Sequence, residues 1–248
     1  MNDIPAPRQA NGHTVADLKP FASVDGWIFD LDNTLYPRHA NLFLQVDQRI
    51  HDYVGRLLKM GPTEAHAVQK DYYRRYGTTL RGLMEEHGIK PDEFLEFVHD
   101  IDHSVVQPDP RLAAALQRLP GRKFIFTNGS KAHAEKVAAR LGITDHFEDI
   151  FDIVRAGLLP KPNRETYDGF IAETGIDPAR AAMFEDLSRN LAVPAALGMR
   201  TVLVVPGGTA EVFHEDWEVE GRNEPHVEFL TDDLGAFLET VLDAIPAA

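Results

Sequence analysis

Short apolar runs recur along this chain, separated by longer segments of mixed polarity. The runs are GWIFD (26–30), KFIFTN (123–128), FDIVRA (151–156), AAMFED (181–186) and TVLVV (201–205). Each is almost continuously apolar, which predicts strands buried on both faces. Between them lie SKAHAEKVAARLG, NRETYDGFIAETG and SRNLAVPAALG. Each has the length of a helix and reaches a glycine able to cap its end. Pro194 inside the third predicts a kink. LGAFLETVLDAI predicts a last helix packed on the core. Strand alternating with helix predicts an α/β fold, a mostly parallel sheet with helices on both faces.

One interval breaks the rhythm. Residues 38–109 hold no buried-strand pattern but a series of helical ones: NLFLQVDQRIHDYVGRLLKM, TEAHAVQKDYYRRYG, TLRGLMEEHG and PDEFLEFVHDID. In the first, Phe43, Val46, Ile50, Tyr53, Val54 and Leu57 follow helical spacing. The expected organisation is a loose, polar tail over 1–20, an α/β core from 21–37 and 110–248, and a helical insert over 38–109. An insert that leaves the chain just after the first strand is placed to cover a site at that strand's end.

Composition narrows the function. With 44% apolar residues in 248, the chain can bury a sizeable core. It has no cysteine, so disulfides and thiolate metal sites are excluded. The start lacks a basic region followed by an apolar one, so no signal peptide is expected, and no apolar run has the length of a membrane helix. A cytoplasmic protein is the expectation, as monomer or homodimer, with no membrane partner. The net charge is −14, and from Pro206 to Ala248 there are eleven acids against one base. That balance disfavours a nucleic-acid polymer as partner. The acidic run itself is read as solvated surface.

The candidate chemistry sits where the strands end. In an open parallel sheet, ligands bind outside the carboxyl ends of the strands. The first predicted strand ends in Asp30, followed by Asp32 and Thr34. The second ends in Thr127 and Asn128. Lys161 follows the third. The fourth ends in Glu185 and Asp186, followed by Ser188 and Asn190. Several carboxylates in one place need a cation, and oxygen ligands without Cys favour a hard ion, Mg²⁺. A cation, a lysine and a hydroxyl–amide pair suit a phosphate. A carboxylate can attack phosphorus to form an acyl phosphate, and its neighbour two residues on can act as acid and then base.

DLDNT, TNG, PKP and ED followed by N, in this order, resemble the four motifs of the haloacid dehalogenase superfamily, most of whose members are Mg²⁺-dependent phosphatases. The resemblance covers roughly 21–36 and 110–205. It implies a Rossmann-like core with a helical cap between the first two motifs. It further implies Asp30 as nucleophile and metal ligand, and Asp32 as general acid/base whose backbone carbonyl also meets the metal. Thr127 and Asn128 would bind the phosphoryl group and Lys161 would neutralise it. Asp186 would be a metal ligand, with Glu185 and Asn190 in support. FDLDNTLYP, YYRRYGTTLRGL, FTNGSKAHA and MFEDLSRNL resemble the pyrimidine 5'-nucleotidase branch, which implies UMP or CMP as the small phosphorylated substrate. Leu187 stands where many relatives have a small polar residue.

Taken singly, these residues have bland readings. A lone Asp-x-Asp is usually a turn or a helix cap. Glu185-Asp186 could be a helix N-terminal pair. YYRRYG could be a helix with core tyrosines and solvated arginines, the reading preferred for any one of its residues. His39, His51, His66, His99 and His103 show no metal-site spacing and are read as surface or cap-packing residues. The alternatives to a nucleotidase are a phosphatase for phosphoglycolate or a sugar phosphate, a phosphomutase, and a non-catalytic binding module. A dehalogenase is disfavoured, because it needs neither a metal nor the second Asp.

Overall fold

The computed structural model describes residues 15–207 and 221–245. Its centre is a parallel six-stranded sheet in the order β3-β2-β1-β4-β5-β6. The strands are β1 (Gly26–Phe29), β2 (Arg122–Phe126), β3 (Asp149–Phe151), β4 (Ala181–Glu185), β5 (Arg200–Val204) and β6 (Phe229–Thr231). The four residues of β1 are all buried, and β1 lies between β2 and β4.

Successive strand residues point to opposite faces, and the two faces feed two separate apolar clusters. Trp27, Phe29, Ile125, Ala182, Phe184 and Val202 enter one. Ile28, Phe124, Phe126, Met183 and Leu203 enter the other. The first face is covered by α5 (Pro110–Arg118), α6 (Lys131–Leu141) and α9 (Leu234–Ala244), the second by α7 (Arg164–Thr174) and α8 (Ser188–Leu197). This is the α/β arrangement expected from the run pattern. Gly121, at φ +84°, makes the tight entry to β2; a Cβ there would lie 2.2 Å from the carbonyl oxygen of Asp25.

Between β1 and α5 the chain forms α1 (Leu42–Leu58), α2 (Pro62–Tyr76), α3 (Thr79–His87) and α4 (Pro91–Val98). Val54, Ala65, Leu80, Leu83, Phe94, Leu95 and Val98 make a third cluster of their own, with Ile153 reaching in from the core. On α1 the buried positions are Leu42, Val46 and Val54, whereas Leu57 of the expected face is exposed.

Several expectations change. FDIVRA is not a strand beyond Phe151. Asp152 accepts hydrogen bonds from the backbone N–H groups of Arg155 (2.9 Å) and Lys131 (2.8 Å), which folds residues 153–158 into turns. Ile153 then packs under the helical insert rather than in the sheet. β6 was not visible as a run, because three residues give no period.

Residues 15–20 are not loose. Val15–Ser23 is a 3₁₀ helix. Leu18 and Phe21, three apart as that helix requires, are fully buried. Phe21 packs against Trp27, Phe229 and Phe237 at ring separations of 6.1, 4.9 and 5.8 Å. Residues 1–14, and much of the acidic stretch at 208–220, lie outside the described residues.

α8 runs on through Pro194 without interruption. A proline has no N–H for the carbonyl four residues back, which is that of Asn190. The buried hydroxyl of Tyr167 donates to that carbonyl instead, at 2.7 Å.

Candidate active site

The ends of β1, β2 and β4 deliver the site. Asp30 follows β1 and its N–H still donates to the Phe184 carbonyl at 2.9 Å, so its backbone is fixed by the sheet. Thr127 follows β2 and donates its N–H to Phe151 at 3.0 Å. Lys161 arrives in the turn before α7. It is held by Asn128, whose Oδ1 accepts the Lys161 N–H at 2.8 Å and whose Nδ2 donates to the Lys161 carbonyl at 3.4 Å. Its ammonium is 1% exposed and makes three donations of 2.8 Å, to Asp30 Oδ1, the Phe126 carbonyl and Glu185 Oε1. An ammonium has three N–H donors, and all three are used.

Thr34 donates to Asp30 Oδ2 at 3.1 Å. Glu185 also accepts from Asn190 Nδ2 (2.7 Å) and from the Leu187 N–H (3.0 Å). Asp186 accepts a long bond, 3.4 Å, from Asn33 Nδ2. Asp30, Glu185 and Asp186 bring carboxylate oxygens within 4.8 Å of one another.

This crowding shows in the acidities. Burial, then the Glu185 charge, push Asp30 up to about 7 against the pull of Lys161. Burial and the charges of Glu185 and Asp30 push Asp186 well above the usual carboxylate range. Burial opposes ionisation of Glu185 too, but Lys161 and the hydrogen bonds on it outweigh that and hold it low. Three carboxylates face one ammonium. Lys161 is shared by Asp30 and Glu185, and the three carboxylates together form an oxygen-donor cluster suited to a hard divalent cation.

Asp32 has a different setting. Its Oδ1 accepts from the Tyr36 hydroxyl at 2.6 Å and lies 3.1 Å from His133 Nε2. Burial raises Asp32, but the His133 charge and these two bonds prevail and hold it below its ordinary value. His99 stacks on His133 with ring centres 4.4 Å apart, and burial and His133 together lower it to about 3. His103 Nε2 lies 3.1 Å from His133 Nδ1.

Sequence reading missed Tyr36 and His133 and set His99 and His103 aside as packing. Tyr36 was findable as the residue four after Asp32. His133 carried a weaker signal, a histidine one turn into the helix that follows TNG. The meeting of His99 and His103 with His133 joins distant segments and had no signal.

All eight predicted residues line one cavity of about 590 Å³: Asp30, Asp32, Thr127, Asn128, Lys161, Glu185, Asp186 and Asn190. Its other wall belongs to the helical insert and includes Phe43, Val46, Ile50, Gln69, Tyr73, Leu80 and Phe94. Of YYRRYG, Tyr73 reaches this cavity and lies under the Arg189 guanidinium at 4.3 Å, while Arg74 and Arg75 are exposed. Ser188 is not at the site; its hydroxyl pairs with His226 Nε2 at 2.9 Å. Leu187 lines the cavity and gives its N–H to Glu185. Among the described residues no helix is long and apolar enough to cross a membrane.

A parallel α/β core whose strand ends carry this acidic cluster and its buried lysine, under a helical insert, is the build of a haloacid dehalogenase-type hydrolase. The family model described as haloacid dehalogenase-like hydrolase matches residues 24–198, and the chain belongs to that family of enzymes. It is similar to Phosphate metabolism protein 8 of Saccharomyces cerevisiae, at 28% identity over 216 residues, 79% of this chain and 64% of that protein's length. The fold resembles that of a HAD phosphatase from Thermococcus onnurineus (TM-score 0.59, 18% identity, 90% of this chain and 99% of that one). It also resembles L-2-haloacid dehalogenase from Xanthobacter autotrophicus (TM-score 0.55, 18% identity, 88% and 98%).

Proposed function

We propose that the chain is a Mg²⁺-dependent phosphomonoester hydrolase that works through an aspartyl-phosphate on Asp30 and takes pyrimidine 5'-nucleotides such as UMP and CMP. The observation that carries the proposal is the position of Asp30. It sits against the buried Lys161 ammonium on the floor of a cavity whose opposite wall sets apolar side chains such as Phe43, Ile50, Tyr73 and Phe94 among polar ones such as Asp47, Gln69 and Lys70. The floor suits a phosphoryl group. The wall and the volume suit a nucleoside, and exceed what a two-carbon phosphate ester needs.

In the first step a carboxylate oxygen of Asp30 bonds to phosphorus and the ester P–O bond breaks. Asp32, protonated once the phosphoryl anion lies beside it, gives that proton to the departing oxygen, releasing the nucleoside. In the second step a water oxygen bonds to phosphorus, Asp32 takes its proton, the Asp30–phosphorus bond breaks and phosphate leaves. Lys161 keeps Asp30 in place and offsets the phosphoryl charge, while the Thr127 hydroxyl hydrogen and the second amide N–H of Asn128 are left for the phosphoryl oxygens. Mg²⁺, held by Asp30, Asp186 and the Asp32 carbonyl, would offset the negative charge gathered there.

The test is phosphate release from UMP, CMP, AMP, GMP, phosphoglycolate, glucose phosphates and p-nitrophenyl phosphate, with and without Mg²⁺. A Mg²⁺-dependent preference for UMP and CMP is expected, with Asp30→Asn lowering turnover by about three orders of magnitude or more. Near-normal turnover in Asp30→Asn would sink the mechanism. A different substrate preference would sink the nucleotide assignment.

A further inference from the structure

We infer that His133 is a positioning residue for Asp32: it fixes one carboxyl oxygen so that the other is presented to the cavity, and it is itself fixed by histidines from the helical insert. The inference rests on the reading of Asp32 as the proton donor.

The geometry begins at the Ile101 carbonyl, which can only accept. His103 Nδ1, 3.1 Å away, must therefore carry a hydrogen. In a neutral ring the other nitrogen, Nε2, is then an acceptor, so His133 Nδ1, at 3.1 Å, donates to it. Tyr36 already donates to Asp32 Oδ1, so the hydrogen of the 3.1 Å contact between that oxygen and His133 Nε2 is on the ring, and both nitrogens of His133 donate, as they do in the charged form. The His133 ring has little room to turn. It is fully buried, His99 lies nearly parallel to it at 14°, and His99 Nδ1 is 3.0 Å from Ser130 Oγ. Ser130 Oγ in turn accepts the His133 N–H at 3.4 Å.

His133 and Tyr36 both meet Asp32 at Oδ1. Oδ2 is the oxygen left for chemistry. His99 closes α4 and His103 lies in the segment leading from the insert back to α5, so the insert braces the acid it also covers.

The experiment uses the full chain with Mg²⁺ and compares two kinds of leaving group. UMP and glycerol phosphate release an alkoxide that needs a proton. p-Nitrophenyl phosphate releases a phenolate that does not. The readout is kcat/KM, which reports steps up to leaving-group departure. His133→Leu is expected to lower kcat/KM for the alkyl esters by about thirtyfold or more, within the range that general acid catalysis supplies. The aryl ester should stay within about threefold, the small change left when proton donation is not needed. His133→Gln, which keeps a donor near Nε2, should recover most of the loss. In an Asp32→Asn background His133→Leu should add little.

Equal losses on both leaving groups, or none, would overturn the inference. If His133→Leu does not fold, His103→Leu breaks the same chain further out and must show the same alkyl-selective loss in smaller degree; a uniform effect there would also overturn it. Wild-type failure on UMP with glycerol phosphate still cleaved would retire the nucleotide assignment alone, and the alkyl-to-aryl ratio would then be read on glycerol phosphate.

Discussion

Replacing Lys161 by methionine should destabilise the fold as well as abolish turnover. Lys161 is 1% exposed, and its ammonium sits 2.8 Å from both Asp30 and Glu185, themselves buried. Methionine matches its length but leaves two buried carboxylates and the Phe126 carbonyl without their shared donor. Breaking one partner out of a buried ion pair costs about 3–5 kcal/mol, because the charge left behind is uncompensated. At the size of this chain that corresponds to a fall in Tm of roughly 6–20 °C. The loss should shrink in Lys161→Met combined with Glu185→Gln, which removes one orphaned charge. Urea unfolding followed by circular dichroism in metal-free buffer, extrapolated to water, measures all three proteins. A loss below about 1 kcal/mol in Lys161→Met, or a double variant no more stable than the single one, would refute the account, since an orphaned buried carboxylate could not then be what costs stability.

Asp30 is held near 7 against an ordinary 3.8, and Asp186 is raised too. A raised carboxyl keeps a proton that the unfolded chain has already lost, so these groups make the metal-free protein less stable as pH climbs from about 4 to about 7. The Tm in a chelator should therefore be higher near pH 5.5 than near pH 8, and Mg²⁺ should raise it more at the higher pH; an equal Mg²⁺ shift at both would contradict this. Phe21→Ala should cost about 3–5 kcal/mol by urea unfolding, as expected for emptying a fully buried aromatic site, whereas a loss under about 1 kcal/mol would mean that the segment around Phe21 is not part of the cooperative core.

The strands that build the site were legible because each is buried on both faces and reads as an unbroken apolar run. The polar residues just after them were legible because a parallel sheet exposes its carboxyl ends. What escaped has physical reasons. β6 is too short to show a period. Leu18 and Phe21 are two apolar residues in a polar start, and Phe21 packs not only on nearby Trp27 but on Phe229 and Phe237, far along the chain. Ile153 reads as strand but serves the helical insert, because Asp152 turns the backbone first. The histidines around Asp32 come from α6 and from the end of the insert. No pattern in either segment announces that they meet.

The sheet order also decides which part of the chain can fold first as it leaves the ribosome. β1 is made near the start, yet Gly26 pairs with Arg122 on one side and Ala181 on the other. At ordinary synthesis speeds of about 5–20 residues per second, β4 follows β1 by roughly 8–30 s. Until β2 is made, Trp27, Ile28 and Phe29 have no flanking strand, and from then until β4 is made they have one. The helices that follow them find their partners within one contiguous stretch, α1 against α2 and α4, and α2 against α3. The lid is thus ready to assemble before the floor it covers, and the sticky central strand must be shielded for as long as the floor is missing.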